Sequence, residues 1–502
     1  MLPENINFKL MNSIFKWKGL YLMFILIWSL NHVAGQDYRA MHGSSYGGSL
    51  TVANNPASIV HVPFAWDFTP LAFQFKHSTN AFVVKNSSYL SPANDNTEVL
   101  LNNGKYKSFF MANQDLRLLN ASMRLPNNSA IAFGTSIRSY LSARTSSLLF
   151  HDTVSKARGF MGNNIANTPA SAEGRGHAWA EIFGTYARTY IDNSIAILNV
   201  GATLKANIGI AGGYMTATDL NEIAGIVNNS PGYYLTNGLL NYGTSSNLDV
   251  LDSSSATSAA RKEFFKRTFS TFGLSLGAEY IVPSSVEGNG YDYQFKIGFS
   301  ILDLGPNKFQ YSGYSRTAVL DKSNVSDSLL DDFFENVYDV ASLADSLYKI
   351  SGSNSPIAGK FNLFQPARIV INADKHISGN FFINGELTVP LYSLMGKRQL
   401  VARDMNFINI SARYETKKYG VYFPASLNNK MHFWFGGAFR VGSFLLGVHN
   451  WASVFGNNKI QDGGAYLAFT FRFRDLDRIA GDAEQRISAK ALRQLRCPPA
   501  IR

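Results

Sequence analysis

The chain has 502 residues, 16% of them charged and 13% aromatic, with 41 glycines and a formal net charge of +11 at pH 7. This composition argues against a largely disordered chain and favours a β-rich protein with many turns over a helical one. Lysine and arginine are scattered singly rather than gathered into a basic helix or arm. The positive charge therefore does not indicate nucleic-acid binding.

An apolar stretch near the N-terminus, residues 19–30, follows two lysines and precedes the small residues 33–35 (VAG). This order predicts that residues 1–35 are a signal peptide for export. A permanent membrane anchor is the alternative, but the stretch is shorter than the roughly 20 residues that a spanning helix needs. The single cysteine, Cys497, leaves no intramolecular disulfide and no lipid-modified cysteine directly after the leader.

Strict alternation between apolar and polar residues marks several later segments. Across residues 291–301 every second residue is aromatic or aliphatic, and the residues between them are polar or glycine. The same period recurs at 465–474 and, less completely, at 198–205, 380–389 and 408–415. Successive side chains of a strand point to opposite faces, so each segment predicts a strand with one apolar and one polar face.

A soluble sandwich and a transmembrane barrel both use this alternation. Many of the alternating runs span about ten residues, as a strand tilted across a bilayer must, whereas strands of soluble domains average roughly half that length. Aromatic residues near strand ends would suit the interfacial girdles of a barrel; they are Tyr280, Tyr291, Tyr414, Trp434 and Trp451. The sequence therefore predicts an all-β fold, a transmembrane antiparallel β-barrel over residues 66–474.

The number and order of the strands support this interpretation. The pattern predicts about fourteen strands, with twelve to sixteen as the range, and bacterial single-chain barrels have an even number. They are expected near 68–85, 114–125, 129–140, 178–191, 195–214, 267–281, 291–303, 366–377, 379–391, 405–416, 419–426, 431–441, 443–451 and 464–474. Short and longer connections alternate between them. Short turns lie on the periplasmic side of such barrels, so both chain ends are predicted to be periplasmic.

Two loops and the C-terminal tail carry further signals. The loop at 215–266 contains a low-complexity polar stretch, 243–260, and predicts a solvated, mobile loop. Residues 327–350 show helical spacing with Ser326 or Asp327 as a cap, which predicts an external helix packed on its own loop; a partner-binding helix is the alternative. The tail at 475–502 is predicted to be a basic periplasmic extension, and contact with a periplasmic partner or the cell wall is the other possibility.

A short motif precedes the first predicted strand, namely Asn54, Asn55, Pro56 and Ala57. It resembles the Asn-Pro-Ala segment of the fatty-acid-transporter (FadL-like) barrels, which belongs to a hatch inside a fourteen-strand lumen. The resemblance implies that residues 36–65 are an N-terminal hatch. Asn55 could equally cap an ordinary turn that begins at Pro56.

More of the chain resembles an uncharacterised family of FadL-like outer-membrane proteins from Bacteroidota, defined only as a domain of unknown function. The matching stretches are 200–205 (VGATLK), 296–305 (KIGFSILDLG), 365–368 (QPAR), 413–415 (RYE) and 420–424 (GVYFP). The resemblance implies an outer-membrane location and a barrel, and it implies no substrate.

The sequence contains no recognised enzyme motif, so no catalytic activity, no metal site and no cofactor are expected. Several charged residues fall on the predicted lumen face; they are Lys76, Arg124, Arg138, Lys205, Glu279, Lys296, Glu386, Arg413, Glu415, Arg440 and Arg472. Bases outnumber acids in this set, which would attract anions. The alternative is that the bases pair with the glutamates or with the hatch. A barrel hydrolase that uses the glutamates is a further, less economical hypothesis.

The sequence therefore favours an outer-membrane channel or carrier for a small or hydrophobic solute. Its expected partners are outer-membrane lipid, the solute and a possible periplasmic or surface protein. The alternative function is a non-transporting barrel that binds partners in a secretion or surface-assembly system. A secreted soluble β-protein is the third hypothesis, and it predicts no continuous lipid-facing belt.

Overall fold

The computed structural model describes residues 38–475 except 92–95, 152–155, 194, 228–229, 251–257, 285–292, 321–324, 338–339, 392–399, 406, 429 and 456–458. The predicted signal peptide and all but Asp475 of the predicted tail lie outside the described residues, as does Tyr291.

Fourteen antiparallel strands form a closed barrel, because the first strand pairs with both the second and the last. They are β1 (Phe64–Thr79), β2 (Gly104–Leu125), β3 (Ser129–Phe150), β4 (Ala170–Asp192), β5 (Ile197–Val227), β6 (Ser270–Pro283), β7 (Tyr293–Leu304), β8 (Arg368–Ser378), β9 (Phe381–Pro390), β10 (Phe407–Glu415), β11 (Tyr419–Asn428), β12 (Phe433–Phe435 and Gly437–Val441), β13 (Phe444–Val448) and β14 (Asp462–Asp475). Each of the fourteen predicted strands is confirmed.

The connections alternate as the sequence predicts, so one end of the barrel carries short turns and the other carries long loops. We call them the short-turn end and the long-loop end. Strands at the long-loop end run well past the length that crosses a bilayer. β5 has 31 residues, or about 100 Å at the usual rise per strand residue, whereas about ten residues suffice for a span. Most of this strand therefore lies beyond any membrane.

The two faces of the barrel wall have opposite character. On β7, Ile297 and Phe299 are 40% and 45% exposed, whereas Lys296 and Ser300 are 3% and 1% exposed. Apolar side chains thus point outward and charged ones inward, the reverse of a soluble sandwich. Among the described residues, no helix is long and apolar enough to cross a bilayer.

The aromatic residues assigned to the girdles divide between the two faces. Tyr280 and Tyr414 are exposed on the outer face, and Trp451 is half-buried. Trp434 is fully buried and packs edge-on against Phe407 inside the barrel. Its assignment to a girdle is wrong, because the alternation of β12 directs its two neighbours outward and Trp434 inward.

A cap of additional elements covers the long-loop end. Its helices are α1 (Ala157–Asn164), α2 (Ser258–Lys266), α3 (Asp327–Phe334), α4 (Val340–Ile350) and α5 (Ala452–Phe455), with 3₁₀ turns at Ile165–Asn167 and Leu248–Val250. Its short strands are Phe82–Lys85, Glu98–Leu101, Ser230–Thr244, Pro306–Gln310, Arg316–Val319, Val325–Ser326, Ser353–Pro356, Lys360–Phe364 and Lys459–Ile460.

Two loop predictions need correction. Residues 327–350 form two helices rather than one, and α3 begins at the predicted cap, where Ser326 accepts a hydrogen bond from the Leu329 backbone at 3.3 Å. Leu347 of α4 packs with Leu235 of the neighbouring loop, so the helices cover more than their own loop.

The loop at 215–266 is largely ordered β-structure, since β5 extends through it and the strand at residues 230–244 pairs back onto β5. Of its low-complexity stretch, Ser245, Ser246 and Asn247 are buried rather than solvated. Backbone hydrogen bonding to the extended β5, such as Ser245 N–H to the Gly212 carbonyl at 2.8 Å, outweighs the polar composition.

The N-terminal residues 38–63, here called the luminal segment, lie inside the barrel. They form three short 3₁₀ turns, Arg39–Met41, Gly48–Leu50 and Pro56–Ile59. Every residue of the segment is buried or half-buried. Leu50 packs with Tyr466, and Ile59 packs with Ala130, on strands at different points of the barrel wall.

Candidate functional site

The four-residue motif of the luminal segment is fixed to the barrel wall through polar contacts. The Asn55 side chain accepts a hydrogen bond from the Ala57 backbone at 3.0 Å and so caps the turn that begins at Pro56. Its amide nitrogen donates to the Ala278 carbonyl of β6 at 3.0 Å. Asn54 donates to Glu386 of β9 at 3.1 Å. The motif therefore serves both as a turn cap and as an attachment point.

Three glycines let the motif approach the wall closely. A Cβ atom at Gly277 would lie 2.1 Å from the Asn55 side-chain oxygen, and one at Gly201 would lie 2.7 Å from the Pro56 carbonyl. A Cβ atom at Gly298 would lie 2.9 Å from the Asn55 side-chain nitrogen. Gly201 and Gly277 pair across β5 and β6. Together they form a glycine cradle that no larger residue could provide without displacing the segment.

A buried ionic cluster lies beside the luminal segment; the Asp303 cluster comprises Arg138, Glu181, Lys205, Asp303 and Arg368. Asp303 accepts two hydrogen bonds from Arg138, both at 2.8 Å, and one each from Lys205 and Arg368 at 2.6 Å. Glu181 lies 3.2 Å from Arg138 and 3.6 Å from Lys205. All five side chains are at most 9% exposed, so these charges depend on one another rather than on water.

A second cluster, on β7, β8 and β10, contacts the segment; the Asp374 cluster comprises Tyr293, Asp374, Arg413 and Glu415. Arg413 donates to Asp374 at 2.9 Å and to the Tyr293 hydroxyl at 2.5 Å, and its Nε lies 3.2 Å from Glu415. Arg413 also donates to the Gly43 carbonyl of the luminal segment at 3.2 Å. The segment is thus tied into the charged wall.

The remaining predicted lumen bases also have partners inside the barrel. Lys76 lies 3.4 Å from Asp404, and Lys296 lies 3.6 Å from Glu279. Arg440 donates to the Tyr422 hydroxyl at 3.2 Å. These bases are therefore paired inside the barrel, which is one of the two alternatives that the sequence raised.

Other predicted residues contact the luminal segment directly. Arg472 donates to the Tyr46 carbonyl at 2.8 Å, and Arg124 donates to the Val62 carbonyl at 3.5 Å. Of the predicted acids, Glu386 lies 2.8 Å from the His42 ring. The carboxylate of Glu415 accepts from the Ser44 hydroxyl at 2.6 Å.

Sequence reasoning missed several lumen acids. Glu181 and Asp374 lie at inward positions of predicted strands, so the alternation itself could have found them. Asp303 could not be found in this way, because alternation places it on the outward face with Ile301. The register shifts between Ile301 and Leu304, and Asp303 adopts a φ of 59° that turns its side chain into the lumen.

The lumen is also obstructed towards the long-loop end. The hairpin formed by Pro306–Gln310 and Lys360–Phe364 packs against the wall there. A Cβ atom at Gly212 would lie 2.7 Å from the Phe309 ring, and Phe309 is 2% exposed. The Phe361 ring stacks on Tyr311 with centroids 4.6 Å apart. An aromatic barrier therefore separates the outside from the ionic clusters.

One ion pair at the long-loop end contains a histidine whose pKa is raised. The His432 ring lies 2.6 Å from the Asp462 carboxylate. The hydrogen bond to Asp462 raises the pKa of His432, partial burial opposes this shift, and the charge of Asp462 adds to it. Within the described part of the chain, no three His, Cys, Asp or Glu side chains are grouped to hold a metal ion.

The fold and the site define the class: an antiparallel fourteen-strand β-barrel with an apolar outer surface and a polar, ion-paired lumen that holds its own N-terminal segment. Within this class the chain belongs to the family of unknown function DUF5723, which matches residues 56–448. Membership in an uncharacterised barrel family, as the sequence indicated, is thereby confirmed.

No curated protein matches the chain in sequence. Among solved structures, the deltaS2S3 mutant of the monoaromatic hydrocarbon channel TodX is 11% identical, with a TM-score of 0.43 over 88% of this chain and 100% of that one. The P. putida toluene transporter TodX is 11% identical (TM-score 0.41; 88% and 99% covered), and a Pseudomonas aeruginosa FadL homologue is 10% identical (TM-score 0.39; 86% and 96% covered). Sequence identities and TM-scores this low do not support assigning a ligand or a mechanism to this chain.

Proposed function

We propose that this chain is an outer-membrane channel for a small or hydrophobic solute, and that the luminal segment is the hatch that closes it. The observation that carries the proposal is a barrel with an apolar outer face whose lumen is occupied by a segment of its own chain. In the outer membrane, the short turns of the barrel would face the periplasm and the cap would face the outside of the cell.

The attachment of the luminal segment suits a movable hatch. Much of it is held by individual hydrogen bonds to the wall, such as Ser300 to the Asn54 carbonyl at 2.6 Å and Arg117 to the Leu50 carbonyl at 2.7 Å. Each such bond contributes roughly 1 kcal/mol net, or about 2 where a charged donor is involved. Water entering with a solute can replace these bonds one at a time, whereas the barrel ladder stays intact.

The aromatic barrier at the long-loop end supports an apolar solute. Tyr311, Phe361 and Tyr214 pack their rings against one another in this barrier, and aromatic surfaces bind hydrocarbon and ring-containing molecules well. A solute would bind there first and then pass the ionic clusters after the hatch shifts.

The glycine cradle provides a direct test. Gly201→Val would force the Pro56 region away from the wall without removing a barrel hydrogen bond. Gly184→Val is the matched control, because a Cβ atom at Gly184 meets nothing within 4 Å and the position is exposed. Both variants would be purified, checked for heat-modifiable gel mobility and reconstituted into liposomes for flux measurements with a small sugar and with toluene.

We expect Gly201→Val to increase flux several-fold and Gly184→Val to behave like the wild type. Equal flux in all three folded proteins would refute the hatch. Raised sugar flux without any toluene uptake by the wild type would leave the hatch in place but reject the apolar solute.

The extent of the cap favours a second candidate, a barrel that binds a partner protein at its long-loop end. α4 covers an apolar cluster that includes Leu240 and Leu320, yet Tyr348 on the same helix is 67% exposed. Deleting the cap helices while retaining the barrel would abolish cross-linking to a surface partner under this hypothesis. Under the channel hypothesis the deletion would leave cross-linked products unchanged.

A further inference from the structure

The cap helix α2 leads almost directly into a lipid-facing strand. It ends at Lys266, and β6 begins at Ser270. Outward residues of β6 extend from Tyr280, near the short-turn end, to Phe272; these two are 41% and 81% exposed. The steps between them cover roughly 21 Å of the membrane normal, for a rise of about 3.4 Å per residue and a tilt of about 40°. The apolar belt of such barrels is about 25 Å tall. Phe272 therefore lies at the outer edge of the belt, and α2 lies at the level of the lipid headgroups.

One face of α2 packs on the cap and the opposite face is exposed. The helix contacts the 3₁₀ turn Leu248–Val250, and Phe264 is buried. Directly after the helix, Arg267 donates to the Ser246 carbonyl at 3.1 Å. Residues four apart share a helix face, so Lys262 and Lys266 lie together on the side away from Phe264. Both lysines are exposed. The helix is thus held with two cations directed outward.

The exposed face of α2 is both apolar and basic. Phe265 is 63% exposed, next to the lysines. Glu263 is the only acid in the helix; it lies 3.4 Å from Lys266 and 3.2 Å from Arg267, and its side chain is 41% exposed. Exposed ion pairs of this kind contribute little stability, so the cations can exchange Glu263 for another anion. An exposed aromatic side chain beside lysines is typical of helices that lie in a membrane interface.

We propose that α2 is an interfacial helix that binds phosphorylated lipid of the outer leaflet, with Phe265 inserted among the upper acyl carbons and Lys262 and Lys266 on the lipid phosphates. Phosphate fits because ammonium groups bind it by charge-assisted hydrogen bonds, and cations near an anionic lipid surface are attracted to it. The short distance from α2 to Phe272 makes the helix continuous with the lipid-facing belt, which favours lipid over an acidic protein. The inference rests on the membrane location proposed above and not on transport.

The depth of α2 can be measured on the full mature barrel reconstituted into bilayers. A nitroxide label at Phe265→Cys, in a Cys497→Ser background, would be compared with one at Tyr348→Cys. Tyr348 is 67% exposed on another cap helix, so it is the matched control. The ratio of collisions with oxygen and with a water-soluble nickel complex reports the depth of each label. We expect the label at residue 265 to lie at the headgroup and upper acyl level and the label at residue 348 to lie in water.

The lipid phosphates are tested by titrating lipid A, which carries two phosphates, and its dephosphorylated form into the barrel in a neutral detergent, with native mass spectrometry as the readout. The double variant Lys262→Gln/Lys266→Gln should raise the half-saturating concentration of lipid A at least tenfold and leave binding of the dephosphorylated form unchanged. Lys375→Gln/Lys418→Gln removes the same charge from exposed positions near the short-turn end and should behave like the wild type.

Two results would overturn the proposal. A water-exposed label at residue 265 in a barrel that inserts into the bilayer and shows heat-modifiable mobility would reject the interfacial helix alone. Equal affinity for lipid A in the wild type and in Lys262→Gln/Lys266→Gln would reject the phosphate contacts. Failure of the wild type itself to insert would instead reject the membrane location on which the inference rests.

Discussion

Asp303 is the most informative single position in the lumen, and Asp303→Asn tests whether the ionic cluster holds the barrel together. The substitution preserves shape, and asparagine tolerates the left-handed φ of 59° that this residue adopts. It removes the carboxylate shared by Arg138, Lys205 and Arg368. Arg138 and Lys205 keep Glu181 nearby, so about one buried positive charge loses its compensation. Breaking a buried ion pair from one side costs about 3–5 kcal/mol.

The assay is equilibrium unfolding of the refolded barrel by urea in detergent micelles, with gel mobility and tryptophan fluorescence as independent probes. For an m value of about 3 kcal/mol/M, the loss corresponds to a midpoint lower by about 1–2 M urea. The control is Asp192→Asn, an exposed acid at the short-turn end, whose replacement should change stability by less than about 0.5 kcal/mol. A loss below about 1 kcal/mol for Asp303→Asn would mean that water screens the cluster, and it would refute the argument from burial.

Three further outcomes follow from the same structure. Leu204→Arg should destabilise the barrel in lipid by about 2–4 kcal/mol. Leu204 is 68% exposed, so a soluble β-protein would tolerate the same change, and equal stability in bilayers would count against a membrane barrel. Asn55→Ala should remove the turn cap and the bond to Ala278, weakening the segment by about 1 kcal/mol and raising flux slightly; unchanged flux would argue against attachment at this residue. The raised pKa of His432 means that its pairing with Asp462 stabilises the protein below about pH 6.5 and that this contribution is lost as the pH rises through the raised pKa. The stability difference between wild type and His432→Asn should therefore shrink as the pH rises through the raised pKa, and a difference that grows there would contradict the assignment.

The sequence by itself determined the barrel. A barrel strand exposes one face to lipid and the other to the lumen. The order of the residues alone therefore shows the alternation, for example of Ile297 and Phe299 with Lys296 and Ser300. The turns are equally local: the short connection at residues 126–128 carries two asparagines with positive φ, and such residues indicate a tight turn from sequence alone. The Asn55–Pro56 cap belongs to the same category, because its hydrogen bonds span only two residues.

Only the tertiary structure decided what fills the lumen. Glu386 accepts a hydrogen bond from Asn54, which lies more than 300 residues away in the chain. The alternation of apolar and polar residues does not predict a contact between such distant residues. Trp434 was misplaced because it was assigned to a girdle from its position near a strand end, although the alternation of its strand directs it inward. Asp303 was missed because one bulge reverses the face of its side chain. The packing of Leu347 of α4 with Leu235 is likewise a contact between two different loops, which the alternation does not predict. Alternation specifies which way a side chain points, whereas the closed barrel decides which distant groups it meets there.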